Sequence, residues 1–512
     1  MADWSHGYDV SVGYSYGFFR EMGPDWLDLC TRVAGFETRR RPGPKAFRYL
    51  ELGSGQGFGL CLFAAANPEA EFVGVDFQPE HIAHAESLAE AAGLTNVRFV
   101  EADFADLAVR WPEDFGTFDY VTMHGILSWI SPRLREAVVD CLLHGTHPGS
   151  LVYAGYNTMP SWLGTVPFQH ITRMLKDTTG KSGSAAVEES IKLFDRLRNA
   201  KALIFGILPA LEIRIQTTKS QSVSYAVHEY MTESWNPLWH SQVAREFRRA
   251  KLQYVGSATL AENMLLELLP QPLRAPVEEQ QNPELREDLQ DVIVNQAFRR
   301  DIFCRGPRPR SGRQLDGIED TRLYLLSPIE KGHTVKFKTI VGEIEMEYRA
   351  FAEVIEALAQ GPRSVEELIA LPNPTKRKTQ RILLLMLHAN ILALGAAQPG
   401  DAATAQRLNA VIARAASTGG PYRNLAAAML GAAATASDME LMLVDSWLES
   451  HGKADLSALG DGVAQRLARL GRQLHHEGKP VASADSKQKL KELASAFIND
   501  VLPRLRQLGA LE

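Results

Sequence analysis

Tyr49-Leu-Glu-Leu-Gly-Ser-Gly-Gln-Gly57 decides how the rest of this chain is read. It has the form of a buried strand running into a glycine-rich turn. A carboxylate, Glu51, stands just before the turn, and a helical run follows from Leu60. Gly53, Gly55 and Gly57 remove Cβ atoms and permit positive φ where the chain reverses, so a ligand can lie against bare backbone. The N–H groups of the following helix point at that ligand. Two cofactor classes use such a turn: nicotinamide or flavin dinucleotides, and S-adenosylmethionine (SAM).

The dinucleotide fingerprint G-x-G-x-x-G fails here, because Phe58 occupies the place of its third glycine. The next strand, Glu71-Phe-Val-Gly-Val-Asp76, ends in a carboxylate that suits ribose hydroxyls in either class. The third strand, Asn96-Val-Arg-Phe-Val-Glu-Ala-Asp103-Phe104, separates them. In SAM enzymes an acid at this place faces the adenine amino group, and the neighbouring apolar side chain covers the ring. Glu51, Asp76 and Asp103, each about one βα unit apart, therefore read jointly as a SAM site. The candidate cofactor residues are Tyr14, Glu51, Gly53, Ser54, Gly55, Gln56, Asp76, Phe77, Asp103, Phe104 and His124, with the aromatic lead-in (Tyr14, Phe18) folding over the ligand and Tyr14 the better candidate because a phenol offers both a ring and a hydrogen bond.

The surrounding chain reads as α/β. Strands are expected at 47–52, 71–75, 97–100, 118–123 and 151–155, and helices at about 58–66, 79–92 and 132–144, as a βαβ sheet requires. A length of 512 residues suggests about two to four domains. The divisions are 1–45, an aromatic-rich lead-in; 46–165, a Rossmann-like SAM-binding domain; 166–330, a mixed middle region; 331–398, a winged-helix-like unit; and 399–512, Ala- and Leu-rich helices. Helices are expected at 186–206 and 237–250, linkers at 270–290 and 305–320, and a strand or hairpin at 335–347. Ser364-Val-Glu-Glu367 has the form of a capping box.

Composition limits the function classes. Apolar content is 45%, charged content 23% and net charge −6. No global basic field points to nucleic acid or anionic lipid. The basic turn at 39–45 reads as a solvated loop. The basic helix head Lys376, Arg377, Lys378 and Arg381 reads as a solvated face before it reads as a DNA contact. Cys30, Cys61, Cys141 and Cys304 lack C-x-x-C spacing and read as buried thiols of a reducing compartment. The N-terminus has no signal pattern, and the longest apolar stretch, Ala202 to Leu211, is broken by Pro209. A cytoplasmic protein without a membrane span is expected. The pairs His81/His84 and His144/His147 have helical spacing but no carboxylate or Cys partner in sequence, so they read as surface residues, and no metal site is expected.

Chemistry beyond the cofactor is expected at the sheet's carboxyl edge, where open α/β sheets bind ligands. His124, at the exit of the fourth strand, contacts cofactor, orients an acceptor or caps the strand. After the fifth strand, Tyr156-Asn157 can hold an acceptor and Trp162 can floor a pocket. His228-Glu229-Tyr230 offers a further site: on a strand His228 and Tyr230 share a face, and on a helix the three fan apart. The candidate catalytic residues are Tyr156, Asn157, His124 and His228.

Several motifs together resemble one family. These are 49–57, Gly-Val-Asp-Phe-Gln-Pro-Glu-His-Ile (74–82), His-Gly-Ile-Leu-Ser-Trp-Ile-Ser (124–131), Tyr-Asn-Thr-Met-Pro-Ser-Trp (156–162), His-Glu-Tyr (228–230), Ala-Lys-Leu-Gln-Tyr-Val-Gly-Ser-Ala (250–258) and Phe-Arg-Arg-Asp (298–301). The chain is similar to the bacterial class I SAM-dependent methyltransferases that carry a methyltransferase regulatory domain, among them the rickettsial outer-membrane-protein lysine methyltransferases. The resemblance implies a Rossmann-like SAM domain, a dimerisation and middle region, a homodimer, and lysine N-methylation of a protein substrate. Two alternatives stay open: an O- or N-methyltransferase of a small molecule or cell-surface sugar, with a base such as His124, and a non-catalytic SAM-sensing regulator.

Overall fold

The computed structural model describes residues 16–38, 47–311, 315–327, 329–372, 376–453, 455–476, 479–481 and 483–512. Tyr14 and the basic turn at 39–45 lie outside these residues, as do the side chains of Lys376, Arg377 and Lys378.

A seven-stranded sheet organises the chain. Its strands are β1 (Arg48–Leu52), β2 (Glu71–Asp76), β3 (Val97–Glu101), β4 (Phe118–His124), β5 (Thr146–Asn157), β6 (Leu252–Ser257) and β7 (Phe298–Arg305), in the order β3-β2-β1-β4-β5-β7-β6. β1 to β5 run parallel, and β7 is antiparallel to both β5 and β6. Helices α1 (Pro24–Val33), α2 (Phe58–Ala66), α3 (Pro79–Ala91), α4 (Phe104–Val109) and α5 (Pro132–Gly145) accompany the parallel strands. Proline at the first turn of α1, α3 and α5 costs no hydrogen bond there, and Ser131 Oγ caps α5 by accepting from the Leu134 N–H.

The sheet does not end at residue 165. Its last two strands come from 252–257 and 298–305, after a helical insertion that leaves β5 and returns at β6. The insertion packs its own core of Trp162, Phe168, Phe194, Leu211, Ile215 and Tyr230. The linker expected at 270–290 is instead two helices, Gln271–Glu278 and Pro283–Val294. Prolines there open helices: Asn282 Oδ1 caps the second one, directly before Pro283. The helix expected at 186–206 spans Gly183–Asn199, with a short turn at Ile204–Ile207.

The winged-helix-like unit has helices Ala352–Ala359, Val365–Ile369 and Lys376–His388 beside a three-stranded sheet, and a hairpin of Thr334–Thr339 and Gly342–Glu347. The capping box forms between Ser364 and Glu367. The last region is not all helical. A strand pair, Asn424–Ala427 and Ala432–Thr435, packs with helix Ala402–Ala416 against α2 and shares the main core with the sheet domain. Asn409, fully buried, bonds the backbone of Ala426 and Ala510 and ties this layer together.

Candidate functional site

The glycine turn joins β1 to α2. Gly53 (φ 76°) and Gly57 (φ 70°) sit in left-handed backbone. A Cβ on Gly53 would lie 2.2 Å from Ile126 Cδ1, and one on Gly57 2.3 Å from Ala85 Cβ. Backbone conformation and packing thus both demand glycine. The Asp76 carboxylate closes the turn from β2. Its Oδ2 accepts from the Gly55 N–H at 2.8 Å, and its Oδ1 accepts from the Gln78 N–H at 3.0 Å and faces His81 Nδ1 at 3.2 Å. Asp103 caps α4 through Oδ1, which accepts from the Ala105 N–H at 2.6 Å.

Glu51, Ser54 and Gln56 line a narrow cleft beside the turn, with Tyr16 and Phe19 opposite. Burial first, and the Asp76 charge second, push the Glu51 carboxyl up to about 8. Ser54 Oγ is buried without a hydrogen bond among the described residues. A raised carboxyl and an orphaned hydroxyl fit a ligand that brings positive charge and hydrogen-bonding groups, and the ammonium and sulfonium of SAM have that chemistry.

The cleft adjoins a cavity of about 630 Å³. Gly53, Gly55, Asp76, Phe77, Asp103 and Phe104 line one end, and Asn157, Trp162, Arg214, Tyr225, His228 and Glu229 line the other. His124 borders both spaces. Its ring stacks on Phe19 at 3.8 Å between centroids, and its Nδ1 lies 2.8 Å from the Tyr153 hydroxyl. Burial, with Arg300 second, lowers His124 to about 3. It is therefore a neutral ring in the wall, poorly matched to accept protons near neutrality.

The structure moves several sequence expectations. Tyr156 is fully buried on the other face of β5 from the cavity, and its hydroxyl donates to Asp301 Oδ2 at 2.5 Å. Strand alternation sends Tyr156 into the core and its neighbour Asn157 to the cavity. His228-Glu229-Tyr230 lies on helix Val223–Met231. There His228 and Glu229 line the cavity, while Tyr230 turns away and bonds Thr218. In the lead-in, Phe18 packs on Phe63 and Phe19 takes the place beside His124.

His81 and His84 are not surface residues. His81 is buried against Asp76. His84 Nδ1 donates to the Gln56 carbonyl at 2.7 Å, and its Nε2 meets the Tyr422 hydroxyl at 2.8 Å. The partners come from other segments, which sequence spacing does not reveal. His144 is exposed, and the half-buried His147 faces Asp119. Sequence reading passed over Phe19, Arg214, Tyr225, Phe298 and Arg300 as lining residues. Phe298 and Arg300 fall in the Phe-Arg-Arg-Asp motif and the other three in none of those quoted, and only the fold gathers them.

Sheet order, glycine turn and strand-end acids define a class I methyltransferase that uses SAM as methyl donor. The chain belongs to the family of such enzymes that carry a methyltransferase regulatory domain. Residues 44–154 match the family model "Methyltransferase domain", and residues 222–305 match "Predicted methyltransferase regulatory domain". An uncharacterized protein of Synechocystis sp. is 30% identical over 519 aligned positions, covering 99% of both chains. An uncharacterized protein of Rickettsia prowazekii is 25% identical over 268 positions, covering 50% of this chain and 46% of its own. PKMT2 from Rickettsia typhi, solved in complex with AdoHcy, shares the fold with a TM-score of 0.71 at 17% identity, over 97% of this chain and 99% of its own. Among the described residues no helix is long and apolar enough to cross a membrane.

Proposed function

We propose that this enzyme methylates lysine amines of a protein substrate. The observation that carries the reading is the lining of the cavity beyond the cofactor turn, where the Glu229 carboxylate and Asn157 stand among the rings of Trp162, Tyr225 and Phe298. A carboxylate and aromatic faces both attract an ammonium. An apolar, desolvated surround also favours the neutral amine that must attack.

In this reading Glu51 and the turn Gly53-Ser54-Gly55-Gln56 hold the amino-acid end of the cofactor. Asp76 and Phe77 hold the ribose, and Asp103 and Phe104 hold the adenine. SAM supplies a methyl group already activated by its sulfonium, so the protein's work is alignment and exclusion of water. His124 and Phe19 wall the cofactor, and Asn157 and His228 orient the acceptor. The SAM-binding unit comprises the whole seven-stranded sheet, the insertion forms the acceptor wall, and the units 331–398 and 399–512 clamp the cofactor side.

A homodimer in the cytoplasm belongs to the same reading. Leu203, Ile207 and Ile213 of the insertion are 84, 78 and 68% exposed, which suits a buried interface. Four buried free thiols suit a reducing compartment. The second reading, O-methylation with His124 as base, is weakened by the position of that histidine at about 3.

The test is transfer of tritiated methyl from SAM into a host-cell lysate divided into protein, lipid/polysaccharide and small-molecule fractions. A base-stable protein band that yields methyllysine on hydrolysis supports the reading. Label confined to the other fractions refutes it.

A further inference from the structure

We propose that Glu229 receives the acceptor: its carboxylate binds the incoming ammonium and takes the proton that must leave before the nitrogen can attack. The inference rests on the lysine reading above and adds the residue that does the work. Glu229 is 5% exposed, on helix Val223–Met231 of the insertion, and lines the cavity. Asn157 Nδ2 donates to its Oε1 at 3.2 Å. Asn157 is the last residue of β5, at the carboxyl edge of the sheet, two strands over from the strand that feeds the glycine turn. A carboxylate carried by the insertion is thereby fixed to the strand end where acceptor and methyl group must meet.

Charged and titratable groups from several elements surround Glu229. Arg214, from helix Pro209–Ser220, lies over the Trp162 ring at 4.0 Å. Tyr225 and His228 come from the same helix as Glu229, His124 from β4 and Arg300 from β7, while Asp76 and Asp103 stand at the cofactor end. Burial raises the Glu229 carboxyl to about 7, against the opposing pull of Tyr225, Arg214 and Asn157. A base that titrates there is matched to proton transfer near neutrality, and His124 at about 3 is not.

The step balances. The acceptor enters as R–NH3+, and one N–H proton passes to the Glu229 carboxylate. The freed lone pair forms the new C–N bond to the methyl carbon while the S–C bond of SAM breaks, its electron pair remaining on sulfur. The products are R–NH2CH3+, AdoHcy and one proton on Glu229, which is released to solvent before the next turnover.

Glu229→Gln and Glu229→Asp test the assignment against the wild type. Each full-length enzyme is given tritiated SAM and host-cell lysate protein across pH ~6 to 9, methyllysine is counted after acid hydrolysis, and AdoHcy affinity is measured by calorimetry. AdoHcy binding is expected to stay within about twofold, because Glu229 stands at the acceptor end. The Gln variant is expected to lose ~10²-fold or more in rate, the lower range for a general base, and the Asp variant to recover part of it. Wild-type rate rises through pH ~7 and levels. The Gln variant continues to rise about tenfold per pH unit, following the free amine of a lysine with pKa ~10.4.

Methyllysine formed by Glu229→Gln at the wild-type rate, with the same pH profile, overturns this assignment and leaves the lysine reading standing. No methyllysine from the wild type, with AdoHcy still bound, overturns both. Should the Gln variant fail to bind AdoHcy, the Asp variant decides: an unchanged rate overturns the proposal, and a slowed rate that keeps the pH limb supports it.

Discussion

Tyr156→Phe separates a structural role from a catalytic one. The Tyr156 hydroxyl donates to Asp301 Oδ2, which also faces His240 Nδ1 at 2.8 Å, while Asp301 Oδ1 accepts from Arg299 Nε at 2.8 Å. Arg299 reaches on to Asp291 and Glu287, and the whole cluster is buried or nearly so. Burial alone would raise the Asp301 carboxyl, but Arg299 and then His240 outweigh it and hold the group at about 2. The Phe side chain fills the same space and removes one hydrogen bond to a charged group, a loss of about 1.5–3 kcal/mol. His240 and Arg299 remain, so the expected destabilisation lies at the lower end, about 1.5–2 kcal/mol in denaturant-induced unfolding. Arg299→Met, which strands two buried carboxylates, is expected to cost more, about 3–5 kcal/mol. Methyl transfer by folded Tyr156→Phe is expected within about threefold of wild type, since the hydroxyl points away from the cavity. A hundredfold loss of kcat with unchanged stability and AdoHcy affinity would refute the placement and return Tyr156 to the catalytic set.

Three further outcomes are expected. Glu51 stands at about 8 without ligand, so at neutral pH it is protonated, and binding a cation ionises it. SAM affinity should therefore rise from pH ~6 to ~8 with proton release visible in calorimetry, and Glu51→Gln should flatten the dependence. The same raised value lowers the stability of the ligand-free protein as pH climbs from the unfolded carboxyl range, ~4.3, through 8, because the native state then binds more protons than the unfolded state; thermal melts of wild type and Glu51→Gln should converge at low pH and part at high pH. Tyr422→Phe removes one hydrogen bond to His84, worth ~1 kcal/mol, so AdoHcy affinity should weaken by roughly three- to tenfold without loss of fold, and an unchanged affinity would show that the C-terminal layer does not brace the turn.

Short-range features were legible. The glycine turn, the strand-end acids and the βα alternation each lie within about one unit of chain, and β1 to β5 follow from them. The alternation of Tyr156 and Asn157 was legible in principle, since neighbouring residues of a strand face opposite ways, but which face met the cavity depended on β7 and its buried Arg299 and Asp301. Long-range closure was not legible. β6 and β7 arrive after an insertion whose helices carry no mark of where the sheet resumes, and the prolines at 272, 276 and 283 read as linker, while Pro272 and Pro283 open helices and Pro276 lies inside the first of them. Nothing near His84 announces Tyr422, which is 338 residues away.

The same long-range contacts tie the later segments of the chain to the small sheet. Of the lead-in, Arg20 donates to the Leu387 and His388 carbonyls at the end of helix Lys376–His388, and Tyr16 packs edge-on against Tyr422. Between those two anchors Phe19 lies against His124 over the cleft. Tyr422 also stacks on Phe58, at the start of α2, with centroids 4.6 Å apart, and through His84 it meets the Gln56 carbonyl. Both walls of the cleft, the turn and the lead-in, are therefore held from outside the sheet domain, by two later units. The insertion supplies the opposite end of the cavity with Arg214, Tyr225 and Glu229. A sheet alone would present the three acids on an open edge. The added units enclose that edge, and enclosure is what lifts Glu51 and Glu229 into the range where a proton can be exchanged near neutrality.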